Sequence, residues 1–350
     1  AAVAALIGRT KDYPAAKMIP WLQLGLEVEE TEWIRRAVVG REEERDLACA
    51  QSKLLTAYRL NMGLEKYPEL SEYMAEYREQ KCTDAISDEF VNKAFKSSVP
   101  DEVVSRMALL SEFKSDPETA VLVVDALGVE YLPFLIARCK SHRFDPKVVD
   151  CVRVNLPTST PYNPVEKEWG TAGRYRKYDD FDHLLHESFE DHAEALAAEL
   201  MRIDVQVMGE IENLLKTYRR VVLTADHGAT RLAVVARRDG KSRDITEFAD
   251  KIDVLDWRYA KRKKAEYLDS ELVAESVGEG YVLIKGYNRF SKSGAPGFEM
   301  HGGATIEEQV VPFMVIERAI VLDNAAQDES AVVSAIGGAD QISENDEFDI

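Results

Sequence analysis

The sequence predicts an α/β protein whose mostly parallel sheet is flanked by helices, with a helical region in front of it. Three observations carry this. Short apolar runs end abruptly at polar residues, as buried parallel strands do: Val121-Leu122-Val123-Val124 stops at Asp125, and Val221-Val222-Leu223 runs into Thr224-Ala225-Asp226-His227-Gly228. Helical periodicity separates these runs, in the order β-α-β…α-β. The residues before about 115 show helical spacing alone.

In that first region, Leu54, Leu55, Tyr58 and Met62 recur at helical spacing, and Leu70, Tyr73, Met74 and Tyr77 do so again after Pro68. Ser97-Ser98-Val99-Pro100-Asp101 breaks the pattern, because Pro100 lacks a backbone donor; Asp101 suits the positive end of a following helix. No chemistry is visible here, and residues 1–115 read as a helical packing or linker module. Ser115-Asp116-Pro117-Glu118 marks the boundary to an α/β domain over 116–322.

Within that domain, AVLVVDALG predicts a strand ending in Asp125. Residues 129–141 predict a helix with Leu132, Leu135, Ile136 and Cys139 on one face. VVDCVRVNLP predicts a second strand stopped by Pro157. Residues 186–217 predict the clearest helix, its apolar stripe running Leu196, Leu200, Ile203, Val207, Ile211, Leu214, Tyr218. After the strand that leads to Asp226, RLAVVARRDG predicts a further strand and turn. An insertion or cap is expected at about 238–300, with its own strands, including GYVLIKGY. QVVPFMVIERAIVL is expected to close the sheet. Residues 323–350 carry eight acidic residues and no Lys or Arg, the composition of a disordered or loosely docked tail.

Composition narrows the classes. A length of 350 residues suits two units, and 45% hydrophobic with 31% charged residues describes a soluble globular chain. The longest apolar stretches are of strand length, so no transmembrane segment is expected. The first residues lack the basic leader and long apolar region of a signal peptide. The chain begins at Ala1 rather than Met, which fits a piece of a longer protein. Cys49, Cys82, Cys139 and Cys151 stand in no metal-type spacing and read as reduced, mostly buried thiols of a cytoplasmic protein. A net charge of −19 opposes binding of duplex DNA over the whole surface and suits a protein that holds divalent cations.

Metal-type ligands then gather where strands end. Asp125 follows the first strand, Leu156-Pro157-Thr158-Ser159-Thr160-Pro161 the second, and Asp226-His227 the third; His301-Gly302-Gly303 precedes the last. In a parallel sheet the carboxyl ends open on one edge, so these groups converge without being close in sequence. The stretch Tyr178 to His186 offers an Asp and a His four residues apart twice, as Asp182 with His186 and as Asp179 with His183. Taken singly, each piece has a plainer reading: an Asp at a strand end is commonly a cap or turn former, and His183 and His186 suit a solvated helical face.

The segments Val124-Asp125-Ala126-Leu127-…-Glu130, Leu156-Pro157-Thr158-Ser159-Thr160, Thr224-Ala225-Asp226-His227-Gly228 and His301-Gly302-Gly303-Ala304-Thr305-Ile306-Glu307-Glu308-…-Val311-Pro312 together resemble the PglZ family. That family is a branch of the alkaline phosphatase superfamily and recurs in bacterial phage-defence systems of the BREX kind. The resemblance spans about residues 116–322. It implies an alkaline-phosphatase-like core and two divalent metal ions, most readily zinc, with manganese as the other candidate. One ion would be held by Asp125, Thr160, Asp226 and His227. The other would be held by His301 with Asp182 and His186, or with Asp179 and His183 as the runner-up pair.

It implies Thr160 as the nucleophile of a phosphodiesterase or phosphatase acting on nucleotide-like esters, with a phospho-threonine intermediate and other phage-defence proteins as partners. Two stretches depart from the family's pattern: Gly173-Arg174-Tyr175-Arg176-Lys177-Tyr178 is more polar than a buried strand, and Pro161-Tyr162-Asn163-Pro164 lacks a small-residue helix start. Arg231 and the basic run Arg258, Lys261, Arg262, Lys263, Lys264 are candidates for phosphate contacts. Trp257, Tyr259 and Tyr267 are candidates for base stacking, and packing explains these residues as well. A scaffold or docking module with a vestigial metal site is the alternative function. A sulfatase is disfavoured by the lack of a Cys-x-Pro-x-Arg motif.

Overall fold

Among the described residues, five strands form the central sheet, in the order β2 (Phe144–Arg153), β11 (Val310–Arg318), β4 (Arg220–Thr224), β1 (Thr119–Val124), β3 (Tyr175–Tyr178). The computed structural model describes residues 62–319, apart from 171, 188, 190, 191, 265–267, 269 and 276–279. The expected helix at Leu54, Leu55 and Tyr58, the acidic tail at 323–350, Cys49 and Tyr267 therefore lie outside the described residues.

β1 pairs in parallel with β3 and β4, while β11 runs antiparallel to both of its neighbours, β4 and β2. Four strands thus run one way, and their carboxyl ends share an edge with the start of β11. This is the mostly parallel α/β sheet the sequence predicts. Every residue of β1 is buried, as expected of a strand covered on both faces. β11 completes the sheet, as expected of the last strand. It lies inside the sheet, and its seven buried residues Val310 to Ile316 suit a position with a strand on each side.

Helices α1 (Pro68–Thr83), α2 (Asp88–Lys96) and α3 (Arg106–Phe113) send Tyr73, Met74, Tyr77, Phe90 and Leu110 into the same core as the strands. Ser87 caps α2 through Phe90 N, and Ser105 caps α3 through Ala108 N. The start that Asp101 suggests therefore falls a few residues later. α4 (Leu132–Ser141) follows β1 as predicted, and the short α5 (Val165–Trp169) follows β2.

The predicted long helix begins at His192, not at residue 186. It comprises α7 (His192–Met201), a run of wider π-type turns (Arg202–Val207) and α8 (Met208–Leu215), while His186 caps a separate short helix, α6 (Asp180–Leu185). RLAVVARRDG is not a strand but helix α9 (Leu232–Arg238). Its Leu232, Ala233, Val235 and Ala236 are all buried, so the run carries no polar face from which the period could be read.

Residues 244–290 build two smaller sheets. β6 (Ile252–Val254), β7 (Tyr259–Arg262), β9 (Tyr281–Ile284) and β8 (Val273–Glu275) form an antiparallel sheet in that order, and β5 (Asp244–Ile245) pairs with β10 (Arg289–Phe290). Ile245, Ile252, Ala260, Val282, Ile284 and Phe290 give them a core of their own. Among the described residues no helix is long and apolar enough to cross a membrane. Cys82, Cys139 and Cys151 are buried.

Candidate metal centre

The turn after β4 places Asp226 and His227 at the sheet edge, both buried. Asp226 Oδ1 accepts the amides of His227 at 3.0 Å and Ala126 at 3.2 Å. This ties the turns after β1 and β4 together and holds Ala126 at a φ of 60°, a conformation uncommon for a residue with a side chain. Thr160 opens a short 3-10 turn (Thr160–Tyr162) beyond β2. Its hydroxyl donates to Asp226 Oδ2 at 2.7 Å and lies 3.2 Å from Asp125 Oδ1 and 3.4 Å from His227 Nε2. His227 Nδ1 sits 3.1 Å from Gly228 O; because a carbonyl only accepts, Nδ1 donates there and Nε2 faces Thr160 and Asp125.

His301 stacks on His227 with ring centroids 4.4 Å apart, and its Nε2 lies 3.4 Å from His186 Nε2 and 3.7 Å from Asp182 Oδ1. His186 Nε2 is 3.4 Å from Asp182 Oδ2. Of the two spaced pairs, Asp182 with His186 is the one brought to His301. His183 is 73% exposed and faces Asp180. Among the described residues, two sets of groups could hold a metal ion: Asp182, His186 and His301, and Asp125, Asp182 and His227, with ligand atoms in each set all within 4.8 Å of one another. Asp182 belongs to both. Its Oδ1 is buried without a hydrogen-bond partner among the described residues, and His301 Nε2 stands 3.7 Å from it. Carboxylate oxygens and imidazole nitrogens in such a set fit zinc or manganese.

The electrostatics follow from crowding. Burial and the charge of Asp226 push the Asp125 carboxyl up to about 7, against the pull of His227 and Lys177. Asp226 itself is held below the ordinary carboxylate range: burial is outweighed by His227, the Thr160 hydroxyl and Lys177. Burial would also raise Asp182, but hydrogen bonding to His186 and the neighbouring imidazoles bring it down to about 2. Burial and the repulsion of His227 lower His301 to about 4, while the bond to Asp182 raises His186.

Several residues around the centre escape a reading by sequence. Lys177 on β3 contacts Asp125 Oδ2 and lies 2.7 Å from Asp179 Oδ1 and 3.8 Å from Asp226 Oδ2. Buried Arg106 on α3 donates to the carbonyls of Ala225 at 2.9 Å and Asp226 at 2.8 Å, and pairs with Glu168 at 2.7 Å. The buried Asn163 amide donates to Asn155, Pro157 and Ser159 carbonyls and pins the turn that carries Thr160.

The glutamates of HGGATIEE are structural. Glu308 accepts the amides of Gly303 and Thr305 and forms a buried two-point pair with Arg258; Glu307 accepts from Tyr73 and Thr230. A Cβ on Gly303 would meet Arg258 and Glu308, and one on Gly228 would stand 2.1 Å from Glu307 O, so both positions require glycine.

Two expected contacts fall elsewhere. Arg231 is not aimed at the centre; it pairs with Asp84 at 2.9 Å and donates to Phe298 O. Arg258 is consumed by Glu308, and Lys261, Lys263 and Lys264 are exposed. Trp257 packs against the main core. Tyr259 does stand near the centre: it and Tyr281 pack edge-on to Tyr162, two residues beyond Thr160, with centroids 5.7 and 4.8 Å away. Behind the centre, Lys81 is fully buried among Glu299, Glu199 and Glu130 at 2.5, 3.3 and 3.4 Å.

No family model matches the chain, and no curated protein does. Among solved structures, human ectonucleotide pyrophosphatase/phosphodiesterase 5 is similar at 14% identity with a TM-score of 0.25. The similarity covers 40% of this chain and 46% of that one, so the chain spans less than half of that protein's length.

Proposed function

We propose that this chain is a metal-dependent phosphoric ester hydrolase of the PglZ type, a phosphodiesterase or phosphatase for nucleotide-like substrates. The observation that carries the reading is the Thr160 hydroxyl held within 3.4 Å of two carboxylates and an imidazole. Divalent cations bound by Asp125, Asp182, Asp226, His186, His227 and His301 would supply the positive charge that favours a threonine alkoxide and neutralises phosphoryl oxygens. Asp226 Oδ2 orients the hydroxyl. Thr160 Oγ1 attacks phosphorus and the ester oxygen departs with a proton; water then cleaves the phospho-threonine, which restores the hydroxyl and yields the product phosphate. Tyr162, Tyr259 and Tyr281 supply aromatic surface for a base or aryl group beside Thr160.

The order of motifs supports a place in bacterial phage defence of the BREX kind, in the cytoplasm and alongside other defence proteins. The test is hydrolysis of bis(4-nitrophenyl) phosphate with added zinc or manganese. Thr160→Ala should cost about a thousandfold or more in rate; equal rates for the two proteins reject the mechanism.

A second reading has one observation in its favour. The Lys177 ammonium already neutralises Asp125 and approaches Asp226, which suits a docking module with a vestigial site. Elemental analysis separates the two, because a vestigial site retains no zinc or manganese after purification and takes up none on addition.

A further inference from the structure

The proposed reaction makes no use of Lys177. It lies on β3, in register with Val123 on β1, so its side chain rises beside the residues that lead to Asp125. The side chain is only 23% exposed, and its ammonium rests on Asp125 Oδ2 and lies 3.8 Å from Asp226 Oδ2. These are the carboxylates that also receive the Thr160 hydroxyl. A unit positive charge therefore stands on the oxygens that a cation beside Thr160 has to share. The lysine has a third partner, Asp179, at 2.7 Å. Asp179 is 54% exposed and belongs to neither metal-type set, so a rotation of the flexible lysine stem toward the rim keeps one ion pair while giving up the other two. Among the described residues, the opposite set, Asp182, His186 and His301, has no lysine or arginine among its ion-pair partners.

We propose that Lys177 is a built-in competitor for the cation position at Asp125 and Asp226. A divalent ion enters there as the ammonium withdraws to Asp179, so this position binds metal more weakly than the Asp182–His186–His301 set, and the two fill in order. The physical cause is repulsion between like charges a few ångströms apart in a poorly solvated site. The inference rests on the metal-dependent reading of the centre.

The experiment is a calorimetric titration of the full chain with Mn²⁺ alone, and again with Zn²⁺ alone. Wild type should show two equivalents of different affinity. Lys177→Met should tighten the weaker one by about tenfold or more and leave the tighter one in place, whereas Lys177→Arg should keep the wild-type pattern. Asp179→Asn, a change on the exposed rim, should weaken the second equivalent by removing the alternative seat, and it serves where Lys177→Met does not fold. Unchanged affinities in Lys177→Met and Asp179→Asn overturn the competition while leaving the metal centre standing. Absence of any uptake by wild type and all variants removes the metal centre itself, and the inference with it.

Discussion

The hydroxyl of Thr160 donates to Asp226 Oδ2 across 2.7 Å, although 66 positions separate the two residues in the chain. The bond exists because β2 and β4 end on one edge and Asn163 and Arg106 hold the turns that follow them. Asp226→Asn keeps the shape and removes the charge that a cation and the hydroxyl both need. It should lose bound zinc or manganese and lower ester hydrolysis by at least about a hundredfold. Metal content and rate, measured on one preparation, check both parts. Full metal occupancy in the variant would remove Asp226 from the ligand set.

The two aspartate-histidine pairs give a sharper comparison. His186 Nε2 faces His301 Nε2 at 3.4 Å, whereas His183 points to solvent. His186→Ala should weaken metal binding by about tenfold to a hundredfold, while His183→Ala should match wild type. Parallel titrations with Zn²⁺ decide it. The reverse order of effects would return the second site to Asp179 and His183.

The parts of this arrangement that the sequence shows are those that depend on local pattern. The runs before Asp125 and Asp226 read as buried strands because they are covered on both faces, and the ligands at their ends converge because parallel strands share an edge. RLAVVARRDG misleads for a related reason: Leu232 to Ala236 are apolar without a break, so α9 shows neither a period of two nor one of 3.6. The polar stretch at 173–178 looks wrong for a strand, but β3 is an edge strand, and Lys177 faces the carboxylates. Arg106 escapes notice because its partners are backbone carbonyls more than a hundred residues away, and nothing in the sequence marks such a bond.

Arg106 should therefore matter more than its helix suggests. Its guanidinium is buried, pairs with Glu168 and satisfies the carbonyls of Ala225 and Asp226. Arg106→Ala leaves two buried carbonyls and a carboxylate without their donor, at a cost of about 3 kcal/mol or more. Urea unfolding should show a lower midpoint with little change in slope. Arg106→Lys should recover part of the loss, since an ammonium cannot reach all three partners at once. A midpoint equal to that of wild type in the alanine variant would show that the clamp contributes nothing.

The buried cluster of Lys81 with Glu130, Glu199 and Glu299 contributes to the pH dependence of stability. Burial lifts the Glu130 carboxyl from the ordinary 4.5 to about 7; Lys81 opposes this, and Glu199 and Glu307 add to it. The folded chain then keeps a proton that the unfolded chain has released between those two values. Its contribution to stability is complete below about 4.5 and is lost as the pH rises through about 7. Glu130→Gln carries the uncharged form at every pH and removes that loss. Against wild type, the variant should gain stability between pH 5 and pH 8, on the order of a few kcal/mol. Urea melts of both proteins at the two pH values measure the difference, which includes the relief of Glu299, whose carboxyl the charge of Glu130 helps to raise. Parallel stability profiles would mean that Glu130 is already ionised in the folded protein at pH 5, with Lys81 outweighing its burial.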